Sequence, residues 1–290
     1  MSVSSQERPQ TRNLPATSRV GGIVRGLPAR ASEFFAQPRW WVEMIIVVGL
    51  YEIYTFVRNL GGTDVARSFG NGSTILEIER SLHIDVELSI NRWVQEHSFV
   101  ADASALYYNT LHWWVTIGVA IWLYSRHRHV EGVPRIGIGY RKASLVLAVT
   151  TLIALAGFYL IPTAPPRMYH GYVDIGAQTA TWGWWAESGS PGPESFTNQF
   201  AAMPSLHAGW AIWCGLMIVL HARRAWVRVV GVLYPVVTVF VVVGTANHYL
   251  MDVLAVGVAI AVAWVVVGLP RGQAAETAEG RAVTAGRSAA

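Results

Sequence analysis

Three short segments hold the residues best suited to chemistry: Pro165-Pro166-Arg167, Pro204-Ser205-Leu206-His207 and Asn247-His248-Tyr249-Leu250-Met251-Asp252. His248 and Asp252 are four positions apart, the spacing that puts two side chains on one helix face a turn from each other. A carboxylate so placed accepts one imidazole N–H, fixes the tautomer and leaves the other ring nitrogen as a nucleophile. His207 follows Pro204 by three positions, and proline is favoured in the first helical turn, so a helix is expected to start at that motif. Free N–H groups at such a start, with the positive end of the helix dipole, seat a phosphate. Ser205 adds a hydroxyl donor, and His207 can protonate a departing alcohol oxygen. Arg167 is the single Arg or Lys between positions 163 and 203 and can grip two phosphate oxygens at once. This set calls for neither a metal nor a cofactor.

The elements that must carry these residues are membrane helices. Of 290 residues, 52% are hydrophobic and 14% are charged, which points to lipid as the solvent. A bilayer core of about 30 Å needs about 20 apolar residues in a helix. Six runs qualify, roughly 41–60, 106–124, 143–162, 204–221, 226–246 and 250–269. The expected fold is therefore an all-α, six-transmembrane-helix bundle, with a domain over 40–269. Residues 1–39 form a basic, Ser/Pro/Gly-rich arm and 270–290 an Ala/Gly/Arg-rich tail, both expected to be disordered. The first run is longer than the apolar part of a signal sequence and carries Trp40, Trp41, Tyr51 and Tyr54, which reads as an uncleaved span.

Basic residues orient the bundle. Of the 22 Lys and Arg, Arg58, Arg67, Arg80, Arg92 and Arg167 fall on one side and all the others on the opposite one. The positive-inside rule then keeps both termini in the cytoplasm and turns 61–105, 163–203 and 247–249 outward, so all three chemical segments share the outer face of a plasma membrane. No nucleic-acid motif accompanies the net charge of +4. The single cysteine, Cys214, reads as buried packing.

Between the first two runs, Ile78, Leu82, Val86, Ile90 and Trp93 recur opposite Glu77, Glu79, Arg80, Asp85 and Glu87, the pattern of amphipathic helices lying at the interface over the bundle. Glu79 and Glu87 read as a solvated face. Trp182, Trp184 and Trp185 in an irregular outer loop read as membrane-interface packing, and that loop as a substrate rim. Glu52, midway along the first run, is either a functional carboxylate or the partner of a polar group on a neighbouring span.

The three segments resemble the signature motifs of the type 2 phosphatidic acid phosphatase superfamily, most closely the branch related to inositol-phosphorylceramide synthase. The resemblance implies a metal-free histidine phosphatase or phosphotransferase working through a phosphohistidine. It makes His248 the nucleophile, Asp252 its orienter, His207 the general acid and Arg167 a phosphate ligand. Where the wider superfamily carries a Lys before the first-motif Arg and a Pro after it, this chain has Leu160 and Met168. Where the superfamily has a Ser-Arg pair ahead of the third motif, it has Val241 and Val242. Compensating contacts are therefore expected from Asn247, Tyr249, His112 or His170 as candidate substrate-binding residues. The implied substrate is a lipid phosphate or phospholipid, with water, a lipid or a polyol as acceptor. A transporter would show matching halves and broken helices at mid-membrane, and a haem protein would show paired ligands across the bilayer; neither pattern is present in the sequence.

Overall fold

The computed structural model describes residues 39–60, 64–129, 139–183, 185 and 199–268. Over these the chain is helical, with one isolated parallel bridge between Thr163 and Ala201. The expected terminal arm and tail, with Trp184, lie outside the described residues. The helices are α1 (Trp40–Leu60), α2 (Val65–Ser81), α3 (Glu87–Glu96), α4 (Ser98–His129), α5 (Tyr140–Leu160), α6 (Ile175–Thr179), α7 (Leu206–His221), α8 (Ala225–Gly244) and α9 (Leu250–Gly268). A 3-10 turn, Pro166–Met168, follows α5.

Among the described residues, three helices, α5, α8 and α9, are long and apolar enough to cross a membrane, and α7 is apolar but has only 16 residues. The other expected runs coincide with α1 and with the middle of α4. Large apolar side chains stand exposed along whole faces of these helices: Val229, Leu233 and Val236 on α8, and Leu254, Val258 and Val265 on α9. Such faces belong in lipid rather than water. Inside, Val119 and Leu123 of α4, Val146 of α5, Trp213 and Met217 of α7 and Ala263 of α9 form one core. Trp213 donates its indole N–H to the Ala143 carbonyl at 2.9 Å, which satisfies its polar edge. Cys214 is buried beside Thr116, as packing requires.

Helices α7 and α8 approach each other through small residues. A Cβ at Gly231 would sit 2.8 Å from the Ile218 side chain, and one at Gly215 would meet Pro235 at 3.0 Å. Small residues at a crossing let helices pack where lipid supplies no hydrophobic drive.

The α2–α3 pair corrects one expectation. Ile78, Leu82, Val86 and Trp93 are exposed, while Glu79 and Glu87 are fully buried. Glu77, Arg80 and Asp85 stay exposed, whereas Glu79 and Glu87 turn inward because they have a specific use at the start of α9: Leu250 N–H donates to Glu87 Oε1 and Met251 N–H to Glu79 Oε1, both at 2.8 Å. Asn91 is used in the same way: its amide donates to the carbonyls of Val173 and Gly244, each at 2.9 Å. The outer loop departs as well. Trp185 is buried, donating to Gly176 O at 3.1 Å within a core of Val94, Ala101 and Ile175, while Trp182 keeps the exposed position expected of it. Glu52 is exposed on α1, and the carboxylate that finds a cation there is Glu43, 2.6 Å from Arg141 on α5.

Candidate active site

The starts of α7 and α9 and the turn after α5 meet at one end of the bundle. Helix α8 ends at Gly244, and the chain re-enters α9 at Leu250 through a five-residue turn with Ala246 in the left-handed region at φ 55°. Thr245 caps α8 by returning its hydroxyl to Val241 O at 2.8 Å, and the Val242 carbonyl accepts the N–H groups of both Asn247 and His248 at 3.2 Å. Val241 and Val242 are buried, so the positions of the superfamily's Ser-Arg pair serve here to pack and close a helix end.

His248 consequently lies two residues before α9 rather than on it, a correction to the expected single helix face. Its partnership with Asp252 survives through the turn, with Nδ1 3.3 Å from Asp252 Oδ2. The Ala202 carbonyl is closer still, at 2.9 Å. Both neighbours are pure acceptors when the carboxyl is ionised, so Nδ1 carries the proton and Nε2 is left with its lone pair. Asp252 Oδ2 also accepts the Tyr249 N–H at 2.9 Å, and the carboxylate is fully buried.

His207 occupies the first turn of α7, capped by Ser205, whose hydroxyl oxygen accepts the Ala208 N–H at 3.3 Å. Ser205 O takes Gly209 N–H at 3.0 Å, which leaves the Leu206 and His207 amides as the first-turn donors for an anion. The Ser205 N–H donates to Asp252 O at 3.2 Å and ties the two helix starts together. The His207 and His248 rings are 5.9 Å apart between centroids. On its other sides His207 stacks on Tyr108 at 4.2 Å and 21° and meets the edge of His112 at 4.2 Å.

Arg167 stands in the 3-10 turn, its backbone N–H held by Ala246 O at 2.8 Å. Its Nε is 3.2 Å from Asp174 Oδ2, and one terminal nitrogen donates to Asn247 Oδ1. Two of five guanidinium donors are thus used for orientation, which leaves three for an anion. Asp174 is itself the cap of α6, accepting the Ala177 N–H at 3.0 Å.

The four candidate substrate contacts separate. Asn247 directs Arg167 and donates to Thr245 Oγ1 at 2.9 Å. Tyr249 is fully buried and donates to Ala164 O at 2.7 Å, and burial pushes its phenol well above the usual range. His112 is buried and joins the cluster through His207. His170 is exposed, and no ring contact joins it to the three imidazoles among the described residues. Leu160, at the superfamily's Lys position, offers its carbonyl to Arg67 at 2.7 Å.

Tyr108 and Asp174 escaped the sequence reading. Tyr108 stands four residues before His112, a helical spacing that marks it as sharing that face. Asp174 had only a capping signal, Asp before a short helix, with nothing linking it to Arg167.

The model of the PAP2 superfamily matches residues 73–267 of the chain. No curated protein and no solved structure matches it significantly.

Proposed function

The chain belongs to the PAP2 superfamily, whose members are phosphatase-type enzymes, and from that premise we propose that it is a membrane phosphatase or phosphotransferase acting on a lipid phosphate ester through a phosphohistidine on His248. The observation that carries this reading is the His248 Nδ1 contact with two acceptors, which leaves Nε2 unprotonated, with His207 5.9 Å away. Nε2 attacks phosphorus in line as the ester P–O bond breaks, and the departing oxygen takes a proton from His207. Water or an alcohol then attacks the phosphohistidine, His207 recovers the proton, and the P–N bond breaks. Arg167 and the α7 amides hold the phosphoryl oxygens, with no metal in either step.

The same reading has six spans, α1, α4, α5, α7, α8 and α9, with the site at the outer face of the plasma membrane, both termini in the cytoplasm, and α2–α3 laid on the membrane surface by their exposed apolar side chains. Transfer to a hydroxyl acceptor, as in the inositol-phosphorylceramide-synthase branch, is favoured over hydrolysis by the apolar Leu160 and Val242 at the two phosphate-cation positions.

The test is a panel of lipid phosphates and phospholipids given to purified protein with chelator present, wild type beside His248→Ala, scored for free phosphate and for new phospho-product with added alcohols. Product from wild type and none from the variant supports the proposal. Product that persists in His248→Ala, or that chelator alone abolishes, refutes it.

A further inference from the structure

Three consecutive amides at the start of α9 are taken by three different carboxyl groups. Tyr249 N–H donates to Asp252 Oδ2, Leu250 N–H to Glu87 Oε1 and Met251 N–H to Glu79 Oε1, at 2.8 to 2.9 Å. A helix start leaves such amides without intrahelical partners, and its dipole favours negative charge there. Three full charges in a space that excludes water are too many, since each is buried to 0% exposure. The second oxygens, Glu79 Oε2, Glu87 Oε2 and Asp252 Oδ1, are buried with no donor in reach. Glu79 and Glu87 hold adjacent amides, so their carboxyls lie close together, an arrangement that is attractive only when one of them carries a proton.

We propose that Glu79 and Glu87 share one proton and together act as positioning residues for His248, clamping the first turn of α9 in a form that is lost when that proton leaves. The role given to His248 is the one proposed above. Burial, with Glu87 and Asp252 nearby, raises the Glu79 carboxyl to about 8, although the Met251 amide pulls the other way. Among the described residues, the other ionisable groups around the pair are Asp252 and Tyr172, the latter in the loop after Arg167 with Arg80 and Asp85 next to it. None of these supplies a cation to the second oxygens of the pair. The clamp acts on His248 through covalent proximity, because Leu250 and Met251 are two and three residues beyond it.

The sign of the pH effect follows from a carboxyl that stays protonated in the fold but ionises near 4.5 when unfolded. Its contribution to stability is complete below that value and is lost as pH rises towards about 8. Glutamine reproduces the protonated member: its carbonyl accepts the amide, and its NH2 donates to the remaining carboxylate.

The experiment compares wild type, Glu79→Gln, Glu87→Gln, Glu79→Ala and the double glutamine variant in detergent, measuring thermal unfolding from pH 5 to 9.5 and phosphate release from a short-chain phosphatidic acid. The wild-type melting temperature should fall as pH rises to about 8, and the Glu79→Gln profile should be flat across that window. In activity, Glu79→Gln should keep wild-type kcat to within about threefold and lose the alkaline fall with its midpoint near 8. Glu79→Ala should lose about tenfold or more in kcat, with less change in KM. Superimposable melting profiles for wild type and Glu79→Gln overturn the proposal, as does an alkaline limb unchanged by glutamine. If wild type releases no phosphate, the functional reading fails while the melting profiles still decide the acid pair.

Discussion

Replacing Asp252 by Asn separates two jobs that the carboxylate performs on His248. The asparagine carbonyl can occupy the place of Oδ2 and keep both donors, His248 Nδ1 at 3.3 Å and Tyr249 N–H at 2.9 Å. The tautomer is held independently, because the Ala202 carbonyl is 2.9 Å from Nδ1 and cannot donate. What disappears is the charge facing an imidazole that becomes cationic on attacking phosphorus. At 3.3 Å and an effective dielectric of about 20, that interaction is worth at most about 5 kcal/mol. The difference between a charge-assisted and a neutral hydrogen bond sets a floor of about 1 kcal/mol. The window corresponds to rate losses between about fivefold and several thousandfold, and its middle places the expected loss near 10² to 10³ in kcat. KM should stay within about threefold, since the substrate does not touch Asp252. Steady-state release of phosphate, with acid-quenched phosphohistidine measured alongside, reads both quantities. The reasoning is refuted if Asp252→Asn is as inactive as His248→Ala, which would mean that Ala202 does not hold the tautomer. Full activity would refute it equally, since the charge would then contribute nothing.

Arg167→Lys should lose about 10² or more in kcat/KM, because an ammonium cannot serve Asp174, Asn247 and a phosphate in one plane, and Arg167→Ala should approach the 10³ to 10⁵ range typical of arginines in phosphoryl transfer. Initial-rate kinetics check both, and a lysine variant at wild-type rate speaks against phosphate contact. Tyr249→Phe should leave KM within about twofold while destabilising the protein by about 1–3 kcal/mol, since the Ala164 carbonyl loses its buried donor; thermal unfolding in detergent beside KM distinguishes this from a substrate-binding role. Gly72→Ala should destabilise by about 1–3 kcal/mol through overpacking, because its Cβ would lie 2.7 Å from the Tyr249 hydroxyl and 2.8 Å from Ala164 O. A melting temperature equal to wild type would show that the cradle around α9 yields.

What could be read from the order of residues is what local spacing and composition control. Six apolar runs marked helices, and Pro204-Ser205 announced the start of α7, where Ser205 does cap. The motif residues His207, His248, Asp252 and Arg167 were named from type and interval, and the fold brings all four to one end of the bundle. Spacing was a weaker guide to how His248 meets Asp252, because an i, i+4 interval is satisfied by a tight turn before a helix as well as by the helix itself. The burial of Glu79 and Glu87 was hidden for a stronger reason. Periodicity tells which residues share a face but not what each of them meets, and Glu79 and Glu87 turn towards the free amides of α9, more than 160 positions away in the chain. Asp174 and Ala202 were hidden in the same way, one holding a guanidinium by its carboxylate and the other an imidazole by its backbone oxygen. Helices and motif residues follow from short-range steric and solvation preferences, whereas the partners of a buried charge depend on which distant groups the packed chain brings within 3 Å.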